Sequence, residues 1–373
     1  MPPRRAAASP GRSRYIDTLR ALALTRVVVY HVMGSIWLPI VFPSMSILFA
    51  IAGSLMAASL DREKVHYRKV LGRRLRRLLV PFWAFGLAVV PAMFALGWSD
   101  TAFMGDVEPG VDAAALWLWA FPVAPPPGSG PASGWVLPLW YISTYLWFVL
   151  LSPPLLWMFR RWPKRMLGFP VLILVLWAVD ALVLDDRVGT MVLLLCTYAS
   201  CWMLGFAHHD GTIGRLPLWQ IIGVGLTTAA FGLWYAFTYP DPHSGPNVSD
   251  IPIATLFYGF GVTLLLLRFR FTFEWLRRVP PLDYLVTAIN RRAVTVYLWS
   301  NVAICGASVL TDWAPLTDLY HESGIPLLPL VLVTAWTVLA VVVMALGWVE
   351  DLASGRSLQL VPTSHHRARR HAR

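Results

Sequence analysis

The chain has 373 residues, of which 57% are hydrophobic and only 14% charged, and its mean hydropathy is +0.59. Soluble domains carry about a quarter charged residues, so this composition excludes a water-soluble globular enzyme. The net charge of +11 invites a nucleic-acid reading, but the placement of the cations excludes that as well.

A helix needs about 20 apolar residues to cross a bilayer. Ten stretches qualify, at 19–38, 42–60, 78–97, 135–159, 167–184, 188–207, 216–238, 251–267, 293–311 and 325–348. Hydrocarbon offers backbone groups no partner outside the segment, and no barrel-like alternation is visible. The expected fold is therefore all-α: a polytopic integral membrane protein of about ten helices, with a membrane domain over 13–350. Residues 1–12 read as a disordered basic tail with no cleavable signal, and residues 351–373 as a basic cytoplasmic tail. The stretch "AAALWLWAF" (113–121) is too short to span and is expected to lie at the interface or re-enter. The 19 tryptophans suit membrane–water interfaces.

The cations give the orientation. Apart from Arg20 and Arg26, which fall within the first span, nearly all of the 31 Lys and Arg residues lie in the tails and in alternate loops, and Arg187 alone falls in a loop on the other face. By the positive-inside rule, both termini are cytoplasmic. Cys196, Cys201 and Cys305 sit in apolar runs and read as small packing residues. No metal-ligand spacing is present, so no metal is expected.

The first span carries the chemistry. It reads "RYIDTLRALALTRVVVYHVMGSIWL", and a plain anchor would not hold Arg20, Arg26 and His31. Ionisable groups at membrane depth are costly and usually mark a functional cavity. At about 100° per residue, Arg20 and His31 return to one face, about 16 Å apart along the axis. Arg20 is expected at the cytoplasmic mouth and His31 near the middle of the membrane. Imidazole suits a general base, and a guanidinium suits phosphate or carboxylate. Arg26 should point away from His31, toward headgroups or Asp180, while Asp17 is placed to orient Arg20 as an i,i+3 pair.

Several segments together resemble acyltransferase family 3. "IDTLRALALTRVVVYH" is similar to the family's opening, an Arg followed after ten residues by a His. "GRRLRRLLVPFW" (72–83) resembles its basic Arg-x-x-Arg loop, which fits either Arg73 with Arg76 or Arg74 with Arg77, the latter preferred by spacing to Pro81. "PLWYISTYLWFVLLSPPLLW" (138–157) and "AVTVYLWSN" (293–301) resemble its Leu-Trp-Tyr and late Tyr-Leu-Trp-His segments. In the last of these Ser300 stands where relatives often have His, followed by Asn301. The fused esterase-like domain of some relatives is not expected.

The resemblance implies an acyltransferase that moves an acyl group, first of all acetyl, from acyl-CoA to a hydroxyl of a carbohydrate, glycolipid or glycosylated natural product at the cell membrane. Acyl-CoA would be a donor substrate, with no permanently bound cofactor. Arg73, Arg74, Arg76 and Arg77, beside Arg20, would hold its phosphates. His31 would take the acceptor proton or form an acyl intermediate. Candidate oxyanion donors are Tyr30, Trp140, Tyr141, Tyr145, Tyr297 and Asn301. Two alternatives stay open at this point: a transporter or flippase for a glycolipid or small molecule, and transfer from acyl-CoA to an amine.

Overall fold

The structure, a computed structural model, describes residues 14–63, 66–103, 106–184, 186–269, 272–312 and 326–359. The expected disorder of residues 1–12, and the tail from 360 onward, lie outside the described residues. The helices are α1 (Arg14–Met33), α2 (Trp37–Val41), α3 (Ser44–Arg62), α4 (Tyr67–Ala95), α5 (Ser133–Val136), α6 (Leu139–Arg161), α7 (Pro163–Ala178) and α8 (Arg187–His209). They continue with α9 (Thr212–Arg215), α10 (Leu218–Thr238), α11 (Pro252–Arg268), α12 (Pro280–Arg291), α13 (Ala293–Thr311), α14 (Leu327–Leu346) and α15 (Trp348–Ala353).

A helix forms at every stretch expected to span. Among the described residues, 7 segments are long and apolar enough to cross a membrane: 37–62, α4, α6, α8, α10, α13 and α14. The other three expected spans fall short for separate reasons. α1 carries Arg14, Asp17, Arg20, Arg26 and His31 along its 20 residues. α7 has 16 residues and α11 has 17. α7 stops at a turn in which Asp180 takes a left-handed backbone (φ 56°), a conformation an aspartate tolerates better than most residues.

One local expectation is made specific and another is corrected. The stretch at 113–121 forms a short 3₁₀ helix, Ala113–Trp119, capped at its start by the Asp112 carboxylate, which accepts from the Ala115 amide at 3.0 Å. It lies between the second and third strands of a small antiparallel sheet that the all-helical reading did not foresee. Here β1 (Asp100–Phe103) pairs with both β2 (Asp106–Pro109) and β3 (Gly128–Ser129). Strands this short carry too few apolar residues to register as periodicity.

Helix packing depends on close backbone approach, since apolar side chains gain little by leaving lipid for one another. α3 and α8 meet through Gly53 and Gly205. A Cβ on Gly53 would stand 2.3 Å from the Trp202 carbonyl oxygen, and one on Gly205 would stand 2.1 Å from that of Ala50. Phe49, Phe148, Trp202 and Phe206 fill the adjacent core. The C-terminal end is tied in by charge. Asp351 on α15 is fully buried, 2.7 Å from Arg292, 3.3 Å from Arg291 and 3.4 Å from Arg356. A carboxylate so placed must be paired to be tolerated, so several cations counted as loop charges are internal partners.

Candidate active site

His31 stands in the last turn of α1, nearer the helix end than a span running to residue 38 would put it. The expected placement assumed that the span continues to residue 38, but the helix ends at Met33 and Gly34 follows with φ 62°. The His31 ring meets Tyr30 edge-on, with centroids 5.4 Å apart. The Tyr30 hydroxyl accepts from Asn247 Nδ2 at 2.6 Å, and the same amide donates to Asp250 at 2.7 Å. Asn247 and Asp250 come from the α10–α11 loop, so a distant loop fixes the ring beside the imidazole.

Arg26 departs from the sequence expectation. Its guanidinium lies 4.7 Å from the centroid of the Tyr30 ring, an attractive cation–π arrangement. The groups that feel its charge include Tyr198, Asp250 and His31. The acid facing it is therefore Asp250, not Asp180, and it turns toward the bundle interior near the imidazole. A long side chain reaches across the helix surface, which a helical-wheel angle does not capture.

Between the basic end and His31's neighbourhood, aromatic side chains follow one another in contact. Arg77 on α4 acts electrostatically on Tyr145, and Arg20 on Tyr141. Tyr145 stacks on Tyr141 with centroids 5.9 Å apart, and Tyr141 meets Trp140 edge-on at 6.2 Å. Trp140 lies flat against Tyr198 at 5.4 Å. Tyr198 in turn faces Arg26 and Tyr30. A row of side chains thus runs from Tyr145 to Arg26, Tyr30 and His31, with the charges of Arg77 and Arg20 felt at its first end.

Tyr297 and Asn301 do a different job. The Tyr297 hydroxyl donates to the Pro138 carbonyl at 2.7 Å, and Asn301 Nδ2 donates to the Gly134 carbonyl at 3.0 Å. Both tie α13 to the chain around α5 and α6. Ser300 donates to the Tyr297 carbonyl within α13. Asp17 lies in the first turn of α1, where its carbonyl oxygen accepts from Asn290 Nδ2 at 2.6 Å.

The four arginines of the basic loop separate sharply. Arg73 pairs with Glu63 at 3.0 Å, Arg76 reaches the Leu352 carbonyl at 3.2 Å, and Arg74 donates to the Leu55 carbonyl and the Ser59 hydroxyl, both at 3.0 Å. Arg77 is exposed and, among the described residues, has no hydrogen-bond or ion-pair partner. It faces Tyr145 and Glu350. Glu350 is buried and accepts from the Thr295 amide at 3.2 Å and its hydroxyl at 3.1 Å. Burial pushes its carboxyl upward, against the Thr295 donors and the charges of Arg20 and Arg356.

Elsewhere at this end, Asp61, His209 and Asp210 offer ligand atoms within 4.8 Å of one another. Arg160 bridges the two carboxylates at 2.8 and 2.5 Å. A guanidinium therefore stands where a cation would, and the group reads as a tie between α3, α6 and α8.

Sequence reading missed Tyr198, Asn247, Asp250 and Glu350. Tyr198 sits in an apolar run where a tyrosine attracts no notice, and Glu350 sits just past the last expected span. An acid bordering an apolar segment is the one signal that could have singled out Glu350.

Apolar membrane-type helices that enclose an imidazole and the Arg26 guanidinium with buried, unmet donors define a multi-pass membrane protein with a polar interior suited to chemistry. The chain matches the family described as an acyltransferase domain over residues 13–349, and it belongs to acyltransferase family 3. It is accordingly an acyltransferase, and the transporter reading gives way. No curated protein and no solved structure gave a match.

Proposed function

We propose that this protein is an O-acyltransferase of the cell membrane that moves an acyl group, acetyl in the simplest case, from acyl-CoA to a hydroxyl of a carbohydrate, glycolipid or glycosylated natural product. The observation that supports this reading is the row of side chains from Tyr145 to His31, with the charges of Arg77 and Arg20 felt at its far end. CoA has phosphates at one end and a thioester at the other. Fixed cations at one end of the row and a base at the other match that division.

In this reading Arg77 and Arg20 bind the donor phosphates, with Arg73 on the exposed rim. Arg74 and Arg76 shape the loop through their carbonyl contacts. The pantetheine arm lies along Tyr145, Tyr141 and Trp140, and the thioester reaches Tyr30 and His31. His31 takes the proton of the acceptor hydroxyl as the oxygen attacks the thioester carbon. Collapse of the tetrahedral adduct releases the CoA thiolate, which recovers the proton from the imidazolium. Holding the reactants in line supplies much of the acceleration.

The test is deletion of the gene in its host, followed by restoration as wild type or as His31→Ala. Envelope glycans, lipids and secreted metabolites are then compared by mass spectrometry. An ester-labile acyl mass restored only by wild type supports the reading and names both acyl group and acceptor. An alkali-stable, amide-linked acyl group would replace the hydroxyl acceptor with an amine.

A further inference from the structure

The proposed reaction needs a donor to the oxyanion of the tetrahedral adduct. Tyr297 spends its hydroxyl proton on the Pro138 carbonyl, whereas Tyr30 accepts from Asn247 and keeps its own O–H. Arg26 differs from both. Its Nε and Nη2 are buried and have no hydrogen-bond partner. These two atoms form the side-on edge of a guanidinium, whose N–H groups point the same way. Asp250 acts on Arg26 only at a distance: no ion pair joins them among the described residues, and the Asp250 carboxylate accepts from Asn247. An orphaned buried donor pair is expensive, so its persistence calls for a ligand.

The surroundings limit what that ligand is. Arg26 lines a cavity of about 20 Å³ with Ser44, Ser46, Tyr198, Ser249 and Thr255. A space of about 10–15 Å³ admits one water molecule, so this one receives a single oxygen atom and not a phosphate group. Tyr198 lies midway along α8, and Gly259, which also borders the cavity, lies midway along α11. The start of α3 and the α10–α11 loop close its other side, so the cavity stands at the end of the aromatic row, one helical turn from Tyr30. Cation–π contact with that ring holds the guanidinium in place.

We propose that Arg26 is a catalytic residue whose Nε–H and Nη2–H groups bind the oxyanion formed when the acceptor attacks the thioester beside His31. This rests on the acyl-CoA reading above. As the C–O bond forms, the carbonyl π pair moves onto oxygen, and the acceptor proton passes to His31. When the C–S bond breaks, that pair returns, the oxygen becomes a neutral ester carbonyl, and the thiolate takes the proton. Arg26 keeps its own protons throughout. It favours the adduct over the bound thioester because only the adduct carries full charge on that oxygen.

The experiment uses the full chain in nanodiscs, with labelled acetyl-CoA and the glycan and lipid extract of the deletion host as acceptor. Wild type, Arg26→Met, Arg26→Lys and His31→Ala are compared for kcat, for KM toward acetyl-CoA, and for thermal unfolding. Arg26→Met is expected to lower kcat about 100- to 1,000-fold, with KM within about threefold and the unfolding midpoint retained. Arg26→Lys, which keeps the charge without the fork, is expected to recover part of the rate while its unfolding matches that of Arg26→Met. Near-normal kcat in Arg26→Met beside an inactive His31→Ala overturns the Arg26 assignment alone. So does a raised KM at unchanged kcat, or a loss that follows unfolding and is not relieved by lysine. A wild-type protein that consumes no acetyl-CoA overturns the donor reading, and the Arg26 role falls with it.

Discussion

Trp140 lies flat on Tyr198, with ring centroids 5.4 Å apart and planes 17° from parallel. The stack joins α6 to α8 at the point where the side-chain row passes toward Arg26. An aromatic pair of this kind contributes about 0.5–1.5 kcal/mol beyond its area burial. Trp140→Ala is expected to destabilise by more than that and to depress acylation, while Trp140→Phe keeps a ring and most of both. Thermal unfolding together with product mass spectrometry checks this. Equal acylation by both variants would remove Trp140 from the donor path.

His31 contacts Tyr30 by its ring edge and, among the described residues, has no hydrogen-bond or ion-pair partner. Its removal therefore leaves no buried partner unsatisfied. His31→Ala is expected to unfold within a few degrees of wild type and to lose about 100- to 10,000-fold in rate, the usual contribution of a general base. Retained turnover would exclude His31 as the base.

Arg74 and Arg77 are matched in sequence and differ in structure. Arg77→Ala is expected to raise KM for acyl-CoA at little change in stability, because no protein contact is lost. Arg74→Ala frees the Leu55 carbonyl and Ser59 hydroxyl and is expected to destabilise by about 1.5–3 kcal/mol, the range for hydrogen bonds to charged groups. Paired titrations of acetyl-CoA and denaturation curves separate the two. The reverse pattern would assign the donor phosphates to Arg74.

Glu350 gives a pH dependence. Its carboxyl is raised in the folded protein, chiefly by burial, so the folded state holds the proton more tightly than the unfolded chain. The stability this brings is present below the unfolded value, about 4.3 for a glutamate, and is lost as pH rises through the folded value. The unfolding midpoint of wild type minus that of Glu350→Gln should therefore fall as pH rises from about 4 toward neutrality. A difference that grows with pH would mean that Arg20 and Arg356 dominate the carboxyl.

The α3–α8 contact gives a prediction on assembly. Gly205→Val would drive side-chain carbon into the Ala50 carbonyl and the Ser54 amide, 2.1 and 2.6 Å from a Cβ at that position. Both are backbone atoms of a packed helix and cannot turn aside. Loss of monodisperse protein on size exclusion is expected, whereas Gly168→Val, with open space around it, should behave as wild type.

The sequence by itself determined the helical membrane architecture, because apolar length and the siting of cations are properties of short segments. It also singled out Arg20 and His31, because an ionisable residue inside an apolar run is anomalous wherever the run ends up. The helix ends were less legible. α1 stops at Met33 although apolar residues continue to Leu38, since a glycine turn, not hydropathy, ends it.

Only the tertiary structure decided how the charged groups are shared out. Arg292 and Asp351, or Arg160 and Asp61, find each other across many intervening residues, and that pairing removes cations a linear count treats as free. The same folding leaves Arg77 open beside Glu350 and turns Arg26 over Tyr30 into a cavity with its donors unmet. Spacing along one helix gives a direction for each side chain. Whether a partner waits there is set by helices and loops far away in sequence, here α8, α11 and the loop that brings Asn247 and Asp250.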